Sequence, residues 1–155
     1  MSEYRVRALR PTDAEAARDL VIAVHGDSRH EQRALELLDD ALRGSEHEKG
    51  LIAVDEQRGA TLGVALYGDV AGAARATKVH LLAAGDQATL DVLAGAMMDA
   101  MSSDNVRIVV AEIPDEGAFG GVLSALRRVG FEEEGHVADW FADGVGLRLL
   151  AARPG

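Results

Sequence analysis

The sequence of 155 residues contains no cysteine. Without thiols the chain cannot form disulfides, use a thiolate nucleophile or hold a metal through sulfur. It also has no apolar run near the roughly 18 residues that a membrane helix needs, and its start, MSEYRVRALR, lacks the apolar core of a signal peptide. We therefore expect a cytoplasmic protein whose chemistry relies on nitrogen and oxygen groups.

Basic residues are scarce relative to acidic ones. The chain has 16 Lys and Arg against 26 Asp and Glu, which gives a formal net charge of -10. Such a charge repels phosphate backbones and anionic membranes, so we expect neither nucleic acid nor a membrane as a partner. The same field would favour a cationic small molecule or peptide, although acidity that serves only solubility is the simpler explanation.

The length fits one domain spanning residues 1–155. Hydrophobic periodicity predicts the element order β-α-α-β-β-β-α-β-α-β-β. This order indicates an α/β (α+β) domain with a mixed, mostly antiparallel central sheet flanked by helices. Within it, TDAE predicts that Thr12 caps the first helix and that Glu15 completes a capping box. VRIVVAEI is nearly all apolar, which is typical of a central strand.

Three segments, RALRPTDAEAARDL, LGVALYG and LSALRRVGFEEEG, follow one another in an order that resembles the GNAT superfamily of N-acetyltransferases. The resemblance implies a sheet that splays between its fourth and fifth strands. Acyl-coenzyme A would enter that gap, with pantetheine along the fourth strand and pyrophosphate on the start of the next helix. It therefore implies an N-acetyltransferase that uses acetyl-coenzyme A to acetylate an amine of a small molecule or peptide. The five histidines are scattered and form no zinc motif, so we expect no metal. Pairing of two copies through the last strands is compatible with this fold.

The phosphate loop of the family has Gln or Arg, two residues, Gly, one residue, then Gly or Ala. The matching segment here, AAGDQATLDVL, has one glycine and no basic residue. An aspartate at an N-cap accepts the same amide protons as a pyrophosphate and adds like charge, so a self-capped helix is the alternative to a cofactor loop. The resemblance implies these cofactor-binding residues: Leu81, Leu82, Ala83, Gly85, Asp86, Gln87, Ala88, Thr89 and Leu90.

The family also uses a tyrosine in its fourth helix to protonate the leaving thiolate. The matching position is Leu126, which cannot donate a proton. We predict that His80, on the presumed fourth strand, is a catalytic base near pH 7, and that Glu112, at the end of the presumed fifth strand, is a second candidate acting through water. Packing is the alternative role for His80, and plain exposure at a strand end is the alternative for Glu112.

Several other polar and aromatic residues are secondary candidates. Backbone amides near Leu81 and Leu82 would polarise the thioester carbonyl if the resemblance holds. Tyr67 and His136 are the remaining donors. The pair Trp140 and Phe141 would stack on a ligand or, as the more common use of such residues, bury the last strand or a dimer seam.

Two functions therefore remain open at the level of sequence. One is an acyl-coenzyme A-dependent N-acetyltransferase. The other is a noncatalytic binding or oligomerisation module of GNAT-like architecture that no longer binds acyl-coenzyme A. The segment AAGDQATL separates the two, since its aspartate favours the second while the architecture favours the first.

Overall fold

The computed structural model describes residues 4–44 and 46–154, and the elements within them occur in the order predicted from the sequence. The strands are β1 (Tyr4–Ala8), β2 (Glu48–Asp55), β3 (Ala60–Asp69), β4 (Ala76–Ala84), β5 (Ile108–Pro114), β6 (Glu132–Ala142) and β7 (Val145–Ala152). The helices are α1 (Ala14–His25), α2 (Glu31–Leu42), α3 (Gln87–Ser103) and α4 (Gly120–Arg128), and short 3-10 turns lie at Pro11–Asp13 and Gly117–Phe119.

All of these strands lie in one sheet, in the order β1-β2-β3-β4-β5-β7-β6. Every neighbouring pair is antiparallel except β4 and β5, which are parallel and are joined by the crossover through α3. A parallel pair needs such a crossover, whereas the antiparallel neighbours β2 and β3 are joined by a tight turn. The predicted mixed, mostly antiparallel sheet is confirmed.

The helices cover both faces of the sheet. On one face, Val21 of α1 and Leu38 of α2 pack against apolar side chains of β2, β3 and β4. On the other face, Leu93 and Met97 of α3 and Leu126 of α4 pack in a second core with side chains of β3, β4, β5 and β7. The sheet is therefore the middle of three layers, and any opening between two strands connects to both helical layers.

The start of α1 differs from the prediction, and the capping role expected of Thr12 is wrong. Pro11 begins a 3-10 turn, and α1 itself starts at Ala14. The side chain that caps the turn is Asp13, which accepts a hydrogen bond of 2.8 Å from the amide of Arg10 and two of 2.8 Å from Arg7. Proline at the first position favours this early tight turn. The hydrogen bonds from Arg7 are the main cause that holds the pKa of Asp13 below its usual value.

Strand β6 forms one edge of the sheet and is largely exposed. Its acidic residues 132–134 are exposed, as expected for an edge that discourages strand pairing. Trp140 is 60% exposed, so the expectation that it buries the last strand is wrong. The physical reason is an irregular register between Val137 and Ala142, where Asp139 takes a positive φ of 57° and disturbs the side-chain alternation.

None of the helices in residues 4–44 and 46–154 is both long and apolar enough to cross a membrane.

Candidate active site

The parallel strands β4 and β5 pair over only part of their length. Their ladder begins at Ala76 opposite Ile108 and ends at Val79 opposite Ala111, whereas β4 stays paired with β3 as far as Ala84. Residues 80–84 of β4 therefore lie beyond the described ladder with β5, and residues 81–84 stay paired with β3 and turn their other backbone edge towards a gap. An edge of this kind can bind an extended ligand through main-chain hydrogen bonds.

A β-bulge lies at the point where the gap begins. Leu66 of β3 is opposite Leu81 of β4, but Tyr67 is opposite Val79, so His80 is the extra residue. A bulge breaks the strict alternation of side chains along a strand. As a result, the neighbours His80 and Leu81 both line the same cavity.

That cavity has a volume of about 190 Å³ and lies between the splayed strands and α2. One wall consists of α2 residues that are three or four positions apart and therefore lie on one face of the helix. The opposite wall consists of residues from β4 and β5, and the aromatic rings close one side. The lining residues are His25, His30, Arg33, Ala34, Leu37, Lys78, Val79, His80, Leu81, Glu112, Pro114, Phe119 and Phe141.

His80 contacts a carboxylate that the sequence analysis did not identify. Its Nε2 lies 3.0 Å from Oε2 of Glu48, and its side chain is 17% exposed. Within the described residues, this contact does not have hydrogen-bond geometry and Nε2 is buried without another partner. Burial lowers the pKa of His80, with smaller contributions from Lys78 and Arg33, while Glu48 raises it. The lowered pKa favours the neutral ring, next to a carboxylate that can stabilise its protonated form.

Glu112 lines the same cavity as His80, so the structure brings the two predicted catalytic residues together. Its Oε2 lies 3.2 Å from Nζ of Lys78. This ion pair occupies one carboxylate oxygen of Glu112. Of the two residues, the neutral ring of His80 is the better proton acceptor near pH 7.

Two histidines at the junction of α1 and α2 complete the cavity and were missed from the sequence. His25 stacks on Phe119 with ring centroids 5.6 Å apart, and His30 meets the same ring edge-on at 4.8 Å. His30 also contacts Glu116, with 3.1 Å between Nε2 and Oε2. Burial, and to a lesser degree His30, lowers the pKa of His25, and its Nε2 is buried without a partner. The only sequence signal was the presence of both histidines in HGDSRH.

The other secondary donors lie elsewhere. Tyr67 lines a separate cavity of about 360 Å³ together with His47 and Lys49. Neither predicted catalytic residue lines this larger cavity. His136 is half exposed on β6, with its Nε2 3.6 Å from Oδ2 of Asp115. Neither Tyr67 nor His136 is among the lining residues of the cavity at His80.

The residues implied to bind the cofactor follow the open edge into α3. Leu81, Leu82 and Ala83 are buried in β4, Gly85 follows the strand, and Asp86 is the N-cap of α3. Asp86 Oδ1 accepts a hydrogen bond of 2.8 Å from the amide of Thr89. The start of α3 is thus self-capped, as the alternative interpretation predicted, and the remaining implied positions, Gln87, Ala88 and Leu90, form its first turn with Thr89.

A side-chain bridge ties the start of α3 to α4. Gln87 Nε2 donates hydrogen bonds of 3.0 Å to the carbonyl of Gly121 and to Asp91 Oδ1, and Arg128 donates one of 2.8 Å to Asp91 Oδ2. Leu126 is fully buried in the core on this face, so it supplies no group to the gap.

The donor set tests the fit of the implied cosubstrate. The free edge of residues 80–84 suits an extended pantetheine arm, because strand amides and carbonyls face the gap. The first turn of α3 offers the helix dipole but also the Asp86 carboxylate, which competes with a phosphate for the amide of Thr89. In the described residues, no group of three or more His, Asp or Glu is placed to hold a metal ion.

Comparison of the whole fold with solved structures identifies many similar ones, although no protein-family model and no curated protein sequence matches the chain. An acetyltransferase structure described as GNAT-family, from Desulfovibrio desulfuricans, aligns over 100% of both chains with 17% identity and a TM-score of 0.80. The ribosomal-protein-S18-alanine N-acetyltransferase of Escherichia coli covers 99% of this chain and 95% of its own, with 14% identity and a TM-score of 0.78. The aminoglycoside 6'-N-acetyltransferase of Enterococcus faecium covers 97% of each chain, with 10% identity and a TM-score of 0.78. The chain therefore has the fold of the GNAT N-acetyltransferases.

Proposed function

We propose that this protein is an acyl-coenzyme A-dependent N-acyltransferase that transfers an acetyl group to an amine. The observation that carries the proposal is the splay of β4 from β5, which exposes a strand edge beside the cavity that contains His80. The edge suits the acyl donor, and the cavity suits the acceptor. Two of the similar structures are N-acetyltransferases, one for a ribosomal protein and one for an aminoglycoside, and they support the reaction class.

His80 would act on the acceptor amine. Bound acetyl-coenzyme A supplies an activated thioester. As the amine nitrogen forms its new bond to carbon, it must lose a proton, and the neutral ring of His80 can accept it. Glu48, 3.0 Å away, would stabilise the imidazolium that results.

The carbonyl and the leaving sulfur need separate groups. The backbone amides near Leu81 and Leu82, next to the bulge, are the candidates for polarising the carbonyl oxygen. The sulfur takes its proton from water, because Leu126 has none to give. A missing general acid costs a factor of about 10² to 10⁴ at most, and thiolates leave readily, so we expect slow but measurable turnover.

Two contacts favour a second candidate, a noncatalytic GNAT-like binding or oligomerisation module. The Asp86 carboxylate occupies the amide of Thr89, and Gln87 bridges to Gly121. Both contacts stand where a pyrophosphate would bind under the resemblance. If they persist in solution, they prevent acetyl-coenzyme A from binding.

Release of the coenzyme A thiol tests the two candidates directly. The protein has no cysteine, so a thiol reagent reads the product without background from the enzyme. We expect acetyl-coenzyme A to bind, and a panel of amines to give acceptor-dependent thiol release that His80→Gln lowers about 10² to 10⁴-fold. His136→Gln is the matched control, since His136 lies outside the cavity. Absence of acetyl-coenzyme A binding by calorimetry would favour the noncatalytic module; binding with equal turnover in both variants would remove His80 from the mechanism.

A further inference from the structure

The charges around the cavity at His80 differ from those of the protein as a whole. The chain has a net charge of -10, yet basic side chains line this cavity. Lys78 is paired with Glu112 at 3.2 Å, and Arg29 and His30 are both bonded to Glu116. Lys78 is therefore balanced by a carboxylate of the cavity wall, and Arg29 by Glu116, which lies outside the lining.

Two charged groups at the cavity are compensated less completely. Arg33 lines it, and its ion-pair partner is Glu36, one turn along the same helix at 3.6 Å and exposed. Glu48 is not itself a lining residue, but its Oε2 lies 3.0 Å from Nε2 of His80, which lines the cavity. An exposed pair within one helix contributes little, so the Arg33 guanidinium is available to an anionic ligand. The Glu48 carboxylate is likewise available to a cation.

Arg33 and His80, the lining residue that Glu48 contacts, come from opposite walls of the cavity. Arg33 belongs to α2, whereas Glu48 and His80 belong to β2 and β4. On the α2 side of the cavity, His25 is only 6% exposed. Its Nε2 is buried and has no hydrogen-bonding partner among the described residues. A carboxylate could accept a hydrogen bond from it as well as from Arg33. The remaining lining is mainly apolar and includes Leu37, Phe119 and Phe141.

We propose that the acceptor is zwitterionic, a free amino acid with an apolar side chain, which places its carboxylate towards Arg33 and its amine towards Glu48 and His80. The apolar lining receives the side chain. The amine binds as an ammonium on the side of His80 and Glu48, releases one proton to water before it attacks, and gives the second to the ring of His80 as its bond to carbon forms. The assignment rests on the proposed function only for the fate of the amine, because binding itself needs no acetyl-coenzyme A.

Three probes of one shape test the assignment in the full chain. Phenylalanine carries both charges, phenethylamine lacks the carboxylate, and 3-phenylpropionate lacks the amine. We expect calorimetry without acetyl-coenzyme A to show phenylalanine binding about ten-fold more tightly than either of the other two. Arg33→Gln should weaken phenylalanine about ten-fold and leave phenethylamine unchanged.

Arg43→Gln is the matched control, since Arg43 follows the same helix, is exposed and lies outside the cavity. It removes the same charge from the molecule and should leave phenylalanine binding unchanged. The assignment is overturned if phenethylamine or spermidine binds as tightly as phenylalanine, if Arg33→Gln and Arg43→Gln behave alike, or if none of the probes binds.

The outcome is separable from that of the proposed function. Arg33-dependent binding of phenylalanine without any acetyl transfer would keep the amino-acid site and reject the transferase. Acetyl transfer that prefers a cationic amine would keep the transferase and reject the amino-acid site.

Discussion

Asp86 decides whether the start of α3 can hold a phosphate, and replacing it separates its two effects. Its Oδ1 accepts a hydrogen bond of 2.8 Å from the amide of Thr89, and under the proposed function its charge would lie beside the pyrophosphate of the acyl donor. Asp86→Asn keeps a capping oxygen and removes the charge, whereas Asp86→Ala removes both. Asp99→Asn is the control, because it removes the same charge from the same helix, roughly 20 Å further along.

The magnitudes follow from the cap and from Coulomb's law. Loss of an N-cap costs about 1 kcal/mol, and loss of a negative charge at a helix start adds roughly 0.3–1 kcal/mol. We therefore expect Asp86→Ala to lower the melting temperature by roughly 2–8 °C, and Asp86→Asn to lower it much less. Two like charges about 4 Å apart repel by about 1 kcal/mol in water-like surroundings, so Asp86→Asn should bind acetyl-coenzyme A about five-fold more tightly.

Isothermal titration with acetyl-coenzyme A at low salt, together with thermal melts, measures both effects. The reasoning requires tighter binding by Asp86→Asn than by the Asp99→Asn control, together with a clear loss of stability in Asp86→Ala. Equal affinities for the two asparagine variants would refute the electrostatic part. An unchanged melting temperature of Asp86→Ala would refute the capping part.

Three further predictions concern residues on both faces of the sheet. In the wild type, kcat/KM should fall as the pH drops below about 6.5 and the base becomes protonated, and His80→Gln should abolish this fall. If the variant keeps the fall, another group is the base. Burial lowers the pKa of His25 in the folded protein below 6.5, the ordinary pKa of a histidine. As the pH falls through 6.5, the unfolded chain therefore binds a proton at His25 before the folded protein does, and the folded protein loses stability on acidification. The fall in melting temperature between about pH 7.5 and about pH 5.5 should be smaller in His25→Phe than in the wild type or in His136→Gln. Leu126→Tyr should lower the free energy of unfolding, measured with urea, by about 1–3 kcal/mol and should not raise turnover, because Leu126 is fully buried among apolar side chains. A large gain in rate would show instead that this position faces the gap.

The sequence predicted the order of the elements because each apolar period is a local property. The helix pattern of Leu90, Leu93 and Met97 and the apolar run of β5 reflect which faces must be buried, and both appear in the structure as predicted. Prediction failed where two signals competed. At the start of α1 the capping pattern of Thr12 and Glu15 was overridden by Pro11 and by the longer-range pairing of Asp13 with Arg7.

The candidate site was predictable only in part. His80 and Glu112 are polar residues in otherwise apolar strands, which marks them in the sequence, and they line one cavity. Glu48 lies 32 positions before His80 in the chain, and its contact across the sheet follows from the register of β2, β3 and β4. The bulge that leaves His80 unpaired on β4 depends on that same register. No local pattern encodes either one.

The sequence by itself determined the absence of thiol chemistry, the net negative charge, the element order and the aspartate at the start of α3. These are properties of composition and of short segments. The tertiary structure decided which groups meet: it lines one cavity with Arg33 and His80 in an acidic protein, brings Glu48 into contact with His80, and places Leu126 in the core. Strand pairing and helix packing bring together residues that are distant in the chain, and burial then lowers the pKa of His80, so the chemistry of the site exists only in the folded protein.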